Sequence, residues 1–553
     1  MQYCVTFLYY NLVMNTYDSY YPRPLLRRDS FLCLNDGWTL NGQSINLPFA
    51  PESSLSGYEG NADRMEYRKT FTLDKKFYSD NDKVILHFGA VDQLCDVYLN
   101  DKHLIHHEGG YLPFSIDITD HLEETNKLKV IAVDELDYFY PYGKQTKKPH
   151  GMWYTPVSGI WQSVWLEAYD RNGIDSITVD TDMDTLNIHI ESGSESFTVS
   201  FDDYIETFHD KDISIKVKDP ILWSPDNPHL YDLYISTAND HVSSYFALKK
   251  ISVKEVNGYK RLFLNDEPLF VNGLLDQGYF PDGIFMPGDI DGYAKDISSI
   301  KELGYNCLRK HIKVEPEVFY HECDRQGILV FQDMVNSGKY DFFVDTVLST
   351  IGLQKLPKPL KDRKRYDFFI NHAKETIRHL KSHPCIIGYT IYNEGWGQQD
   401  ASGSYDILKP CDPNRLFDST SGWFFDDHSD FDSYHRYFKN QVFKAKDKML
   451  SISECGGFIR DIAEHRSDKG SKWGYGSADS EDGLTDKIIE MHKDMVIPSI
   501  MNGLCMVIMT QISDVEGEIN GLFTYDRQIC KVNKEKILEA NMKLKDIYNK
   551  QCI

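Results

Sequence analysis

Between Leu269 and Thr510 the chain alternates eight times between a short apolar run and a stretch with helical spacing, and nothing else in the sequence limits the fold as tightly. The apolar runs are Leu269 to Leu275, Cys307 to Ile312, Ile328 to Gln332, Ile386 to Tyr392, Leu416 to Ser419, Phe431 to His435, Leu450 to Glu454 and Leu504 to Thr510. Two of the intervening stretches, DIDGYAKDISSIKELG and EPEVFYHECDRQG, close on Gly304 and Gly327, the residue type that ends a helix in the left-handed conformation at least steric cost. A third, RYDFFINHAKETIRHLKSH, has apolar residues at helical spacing and a basic last turn that complements the helix dipole. Buried strands alternating with amphipathic helices in this way predict a parallel (β/α)8 barrel over residues 254–553.

Upstream, the period changes from helical to two. MEYRKTFTL, KVILHFGAV, DVYLND, KLKVIAVD and SVWLEAYD alternate as half-buried strands do, which predicts a β-sandwich over residues 1–170. SITVDTD, LNIHIES, SFTVSFD, ISIKVK and LYDLYIST predict a second, smaller sandwich over residues 171–253. RLFLNDEPLFVNG then reads as a hairpin turning at Asn265 and Asp266. Three domains suit 553 residues, well past the size at which one core keeps growing.

A barrel of this kind presents its reactive groups at the C-terminal ends of the strands, where the βα loops open to solvent. The fourth run, CIIGYTIY, leads directly into Asn393 and Glu394, and the seventh, MLSIS, leads into Glu454. Two glutamates on one rim suggest a pair. Carboxyls about 5 to 5.5 Å apart can cleave a glycosidic bond with retention, one as acid and then base, the other as nucleophile.

Composition narrows the partners. A net charge of −24, with no basic run to offset it, argues against nucleic acid and anionic membrane surfaces. No stretch of 18 apolar residues is present to cross a bilayer as a helix. The eleven cysteines are scattered singly, with no CxxC spacing, which reads as reduced thiols in the cytoplasm and no structural zinc. Met1 to Met14 lacks a basic start and a long apolar core, which disfavours a signal peptide, and Met14 is an alternative start. The assembly state is left open; a homo-oligomer is compatible with the sequence.

Several ordered motifs resemble glycoside hydrolase family 2, the family of β-galactosidases, β-glucuronidases and β-mannosidases. They are TPVSGIWQSVWLE (Thr155 to Glu167), LWSPDNPHLY (Leu222 to Tyr231), GYNCLRKH (Gly304 to His311), YHECDRQGILVFQDM (Tyr320 to Met334), YNEGWGQ (Tyr392 to Gln398) and SECGGF (Ser453 to Phe458). The resemblance implies a jelly-roll sandwich, an immunoglobulin-like sandwich and a TIM barrel that hydrolyses a terminal β-linked sugar. It implies Glu394 as acid/base, Glu454 as nucleophile, Asn393 on the sugar 2-hydroxyl, and Arg309 as the group holding the nucleophile ionised. Tyr437 and His435, in HRYF after the sixth strand, match positions near the nucleophile, with an ordinary rim residue as the alternative for each. Trp396 is either a sugar platform or loop packing.

The sequence also departs from the family. At the first strand FVNGLLDQG puts Asp276 and Gln277 where sugar hydroxyls are read, and at the eighth Thr510 and Gln511 stand in place of a Trp. β-Glucuronidases carry an Asn-Lys pair before a GIFTRDR-like segment, whereas this chain has GEINGLFTYDR, which disfavours a glucuronide and leaves a β-galactoside as the expected substrate. No cofactor and no metal cluster is expected, although a structural Mg²⁺ or Na⁺ would leave no spacing signature. The rival reading is a non-catalytic carbohydrate-binding protein on a glycosidase scaffold.

Overall fold

The alternating runs ahead of Asp170 become two facing antiparallel sheets. In the computed structural model, which describes residues 16–60, 63–74, 76–341, 345, 358–467 and 472–552, a four-stranded sheet with Asp82–Phe88 and Val164–Asp170 at its centre faces a six-stranded sheet built around Arg64–Phe71 and Asn126–Val133. Their inward residues, among them Trp38, Tyr67, Leu86, Val97 and Val130, form one buried core. Met1 to Met14, and with them Cys4 and the choice of start, lie outside the described residues.

A second sandwich follows, pairing three strands (Ile174–Thr181, Thr185–Ser192, Asp212–Lys216) with four. Two of those four, Tyr204–Phe208 and His241–Phe246, carry no clear apolar alternation: the first is an exposed edge, and the second mixes serines with its buried residues. A short hairpin, Tyr259–Leu264 to Glu267–Pro268, then turns at Asn265 and Asp266, both with positive φ.

The barrel strands, numbered here for the barrel alone, are β1 (Val271–Asp276), β2 (Cys307–Lys310), β3 (Leu329–Asp333), β4 (Ile386–Asn393), β5 (Leu416–Ser421), β6 (Phe431–Arg436), β7 (Met449–Gly456) and β8 (Leu504–Thr510). They run parallel in the order β5-β4-β3-β2-β1-β8-β7-β6. The ends meet where the Asp430 N–H donates to the Phe417 carbonyl (2.9 Å) and the Phe417 N–H donates back to the Asp430 carboxylate (2.8 Å). Every residue of β4 and β7 is buried, as expected of strands enclosed on both faces. The helix Arg363–Leu380 starts at Asp362, whose carboxylate caps the Arg365 N–H, and buries Phe369, Ile370, Ala373 and Ile377 against the barrel. Gly327 is required twice over: its φ is +76°, and a Cβ would sit 2.8 Å from the Pro225 carbonyl.

The first sandwich reaches over the barrel mouth. Its loop donates the Tyr142 N–H to the Asn336 carbonyl (3.0 Å), beyond β3, and Tyr142, Tyr154 and Trp161 share a buried cluster with Trp396 and Phe285. The ten cysteines among the described residues are free, and no helix among them is long and apolar enough to cross a membrane.

Candidate active site

Directly after β4 the backbone turns sharply. Glu394 takes φ +52°, a left-handed conformation that costs a non-glycine residue of order 1–3 kcal/mol and is kept where surrounding structure enforces it. Here the Glu394 N–H donates to the Ser421 carbonyl at the end of β5 (2.9 Å). Glu454 lies within β7, and one carboxylate oxygen of each glutamate falls inside a group whose atoms are all within 4.8 Å of one another. That separation matches a pair that acts without a water between its members; the inverting arrangement needs about 6.5–9.5 Å.

Arg309, fully buried on β2, organises the floor. Its Nε donates to Asp333 on β3 (2.9 Å), one Nη to Glu454 Oε1 and to the Ser453 carbonyl on β7 (both 3.0 Å), and the other Nη to Asn393 Oδ1 on β4 (3.0 Å). A planar guanidinium can meet three strands at once in this way, which a lysine cannot. Asp333 also holds His311 Nδ1 at 2.7 Å. Burial by itself would raise the Glu454 carboxyl, but His435, Arg309, His311 and Lys144 overcome it and bring it down to about 2. Lys144 comes from the sandwich loop over the mouth. Burial depresses the Arg309 guanidinium, yet the Asp333 and Glu454 carboxylates outweigh it and keep the group charged.

Tyr437, just past β6, donates its hydroxyl to Glu454 Oε2. The Thr510 hydroxyl, 3.1 Å away, therefore donates to Tyr437, and Thr510 takes part in the site where a Trp was expected from the family pattern. Burial, followed by the Glu454 charge, keeps the Tyr437 phenol neutral. His435 places Nδ1 2.7 Å from Glu394 Oε1 and 3.5 Å from Glu454 Oε2. Glu394, His435 and Glu454 are close enough to offer donor atoms to a cation, but the Glu454 oxygens already accept from Arg309 and Tyr437, and His435 Nδ1 already meets Glu394 Oε1.

Two expectations are corrected. Trp396 is no sugar platform: it is 2% exposed, its indole N–H donates to the Gly338 carbonyl (2.7 Å), and Tyr142, Trp153 and Tyr340 pack edge-on against it. Asp276 does not face the glutamates either. It is buried against Lys310 Nζ (2.6 Å) and accepts the Gly278 N–H (2.8 Å), within a separate ion cluster that includes Lys313 and Glu315. Trp161 and Trp165 are both buried, Trp161 in the cluster that joins the first sandwich to the barrel.

Further side chains join the site without having been singled out. Half-buried Trp423, after β5, lies 6.0 Å from the His435 ring, and Tyr475 stacks on Tyr437 at 4.1 Å. Where an Asn-Lys pair was sought, Glu518 accepts from Tyr154 Oη and from Asn520 (3.0 Å), whose Oδ1 accepts from Gln511 (2.8 Å). These residues sit on four separate segments, and no local pattern marks them.

Three family models match in the same order as the three folded units: glycosyl hydrolase 2 galactose-binding domain-like over residues 40–161, glycosyl hydrolases family 2 over 166–249, and glycosyl hydrolases family 2, TIM barrel domain over 256–454. The chain belongs to glycosyl hydrolase family 2. Within the family it is similar to a β-galactosidase of Thermoanaerobacter pseudethanolicus, 26% identical over 66% of this chain and 51% of that protein. A β-galactosidase of Leuconostoc mesenteroides is 23% identical over 67% of this chain and 36% of that protein, so the chain spans about half or less of the curated relatives it matches. Among solved structures, a β-glucuronidase of Dictyoglomus thermophilum superposes with a TM-score of 0.74 at 18% identity, covering 95% of this chain and 98% of that one. One from an uncultured Clostridium gives 0.72 at 17%, covering 94% and 99%. At such identities the likeness is one of fold.

Proposed function

We propose that this protein is a retaining exo-β-glycosidase in which Glu454 is the nucleophile and Glu394 the acid/base. The observation that carries the reading is the division of labour between two close carboxyls: Glu454 is held ionised by Arg309, Tyr437 and the surrounding cations, while Glu394 is left to a histidine. Glu454 attacks the anomeric carbon as Glu394 gives its proton to the departing oxygen; water then attacks the glycosyl-enzyme while Glu394 takes the water's proton. Asn393, its carbonyl oxygen fixed by Arg309, turns its amide N–H toward the 2-hydroxyl. The reaction needs no cofactor.

A neutral sugar, galactose first, is the proposed substrate. Glu518 lies buried beside the cleft in the stretch where a uronate carboxylate would need a cation, and curated relatives are named β-galactosidases. Single, mostly buried thiols suit a reducing compartment, the cytoplasm. The test is a panel of chromogenic β-glycosides on the wild type, Glu454→Gln and Glu394→Gln, with NMR of the first-formed anomer. Turnover with retention supports the reading. Inverted product removes Glu454 as nucleophile, and sugar binding with no turnover of any glycoside favours the non-catalytic alternative.

A further inference from the structure

Behind Glu394 a row of small polar side chains runs into the barrel. His435 Nε2 lies 2.9 Å from Ser421 Oγ, Ser421 donates to Ser453 Oγ (2.8 Å), and Ser453 lies 2.6 Å from Ser433 Oγ. All three serines are buried, at or near the C-terminal ends of β5, β7 and β6. At the inner end stands Asp418, 1% exposed, which burial pushes up to about 6 while the neighbouring Ser433 hydroxyl favours its charged form. The reaction as described uses none of these groups.

Each hydroxyl has one proton to give, so the row has a direction. Ser421 spends its proton on Ser453 Oγ, which gives the row its direction at the end next to His435. Ser421 then has only its lone pairs for His435, so Nε2 must be an N–H donor. Nδ1 is left facing Glu394 Oε1 across 2.7 Å. We propose that His435 shares the catalytic proton of Glu394 across this contact, and that the Ser421–Ser453–Ser433 row holds the imidazole in the tautomer that makes sharing possible. This rests on Glu394 being the acid/base.

The pair carries one proton in either of two forms, Glu394–OH facing bare Nδ1, or a Glu394 carboxylate facing an imidazolium. The charged and titratable groups facing His435 are the Glu394 and Glu454 carboxyls in contact, the Asp418 and Asp333 carboxyls nearby, the Arg309 guanidinium, and His311, which burial keeps neutral. A bound sugar excludes water, charge separation then costs more, and the proton settles on Glu394, ready for the leaving oxygen. That proton leaves with the aglycone alcohol, and the attacking water returns one to the pair. His435 is thus a positioning and proton-sharing residue that acts through Glu394.

Two measurements decide. In His435→Asn, which keeps a hydrogen-bonding amide but cannot share a proton, the alkaline limb of kcat/KM should move down by about one pH unit or more. The loss should fall on substrates with poor leaving groups and largely spare an activated 2,4-dinitrophenyl glycoside. Ser421→Ala should move the limb the same way by less. Ring ¹⁵N NMR of histidine-labelled protein, with the His435→Asn spectrum identifying the signals, should show Nε2 protonated in the wild type and Nδ1 shifting in Glu394→Gln. An unmoved limb in a folded His435→Asn protein, or a wild-type Nε2 without its proton, overturns the proposal. If the wild type turns over nothing, the glycosidase reading falls, and the NMR arm alone judges the shared proton.

Discussion

Two buried charge clusters stand a few residues apart in this barrel, and they are built differently. At the end of β1, two lysines meet two carboxylates: Lys310 joins Asp276 (2.6 Å) and Glu315 (2.8 Å), while Lys313 joins Glu315 (2.8 Å) and the carbonyls of Gly278 (2.6 Å) and Phe285 (2.5 Å). Its charges balance and its hydrogen bonds close. At the other cluster, among the described residues, Arg309 is the one permanent cation in direct contact with Glu454 and Asp333, and the ionisable partner of Glu394 is His435. Matched clusters hold the fold. The unmatched one has a proton that can move, which is what acid/base chemistry requires.

The sharpest way to break this contrast is to neutralise one carboxylate in each cluster. Glu454→Gln should lower kcat by roughly 10⁵–10⁶-fold, the scale of losing a nucleophile, with a stability loss at neutral pH no larger than about 3 kcal/mol, the contribution of its ionised form. Steady-state kinetics beside differential scanning calorimetry measure both. Glu315→Gln should spare the chemistry. It strands two buried ammonium groups and should destabilise the fold by about 3–5 kcal/mol in urea titration, with the activity of the remaining folded protein little changed. If Glu315→Gln instead abolishes activity without loss of stability, the division between the clusters is wrong.

A smaller effect appears in acid. The native Glu454 carboxyl lies near 2, below its usual 4.5, so its contribution is fully present above pH 4.5 and is lost as pH falls toward about 2. That contribution is of order 3 kcal/mol. Acid unfolding of Glu454→Gln should therefore lose this part of the pH dependence; an identical acid profile in mutant and wild type would show that Glu454 is not held ionised in the native state.

The eight strands could be read closely from the chain because a strand enclosed on both faces must be apolar nearly throughout; the expected and observed ends differ by two residues or fewer at each strand. Glu394 and Glu454 were legible because each follows or ends such a run. Arg309, Tyr437 and His435 were placed by family likeness, and their contacts with the two glutamates emerged only in the fold. Trp396 was open between platform and packing because the side of the turn on which its ring falls depends on Tyr142 and Trp153, some 250 residues earlier in the chain. The serines were harder still. A faint signal exists, since LFDSTS, FDSYHR and SISECG place small hydroxyl residues where barrel interiors favour branched apolar ones, but it says nothing of which serine meets which.

By itself, then, the sequence determined the three units, the parallel barrel and the two glutamates on its rim, because hydrophobic periodicity acts along the chain and is written there residue by residue. Closure of the barrel decided the rest: Asp276 drawn to Lys310, one guanidinium joined to three strands, and Ser421, Ser453 and Ser433 aligned behind His435. Hydrogen bonds and ion pairs act over about 3 Å in space whatever the separation in sequence, so their partners are chosen only when the strands come together.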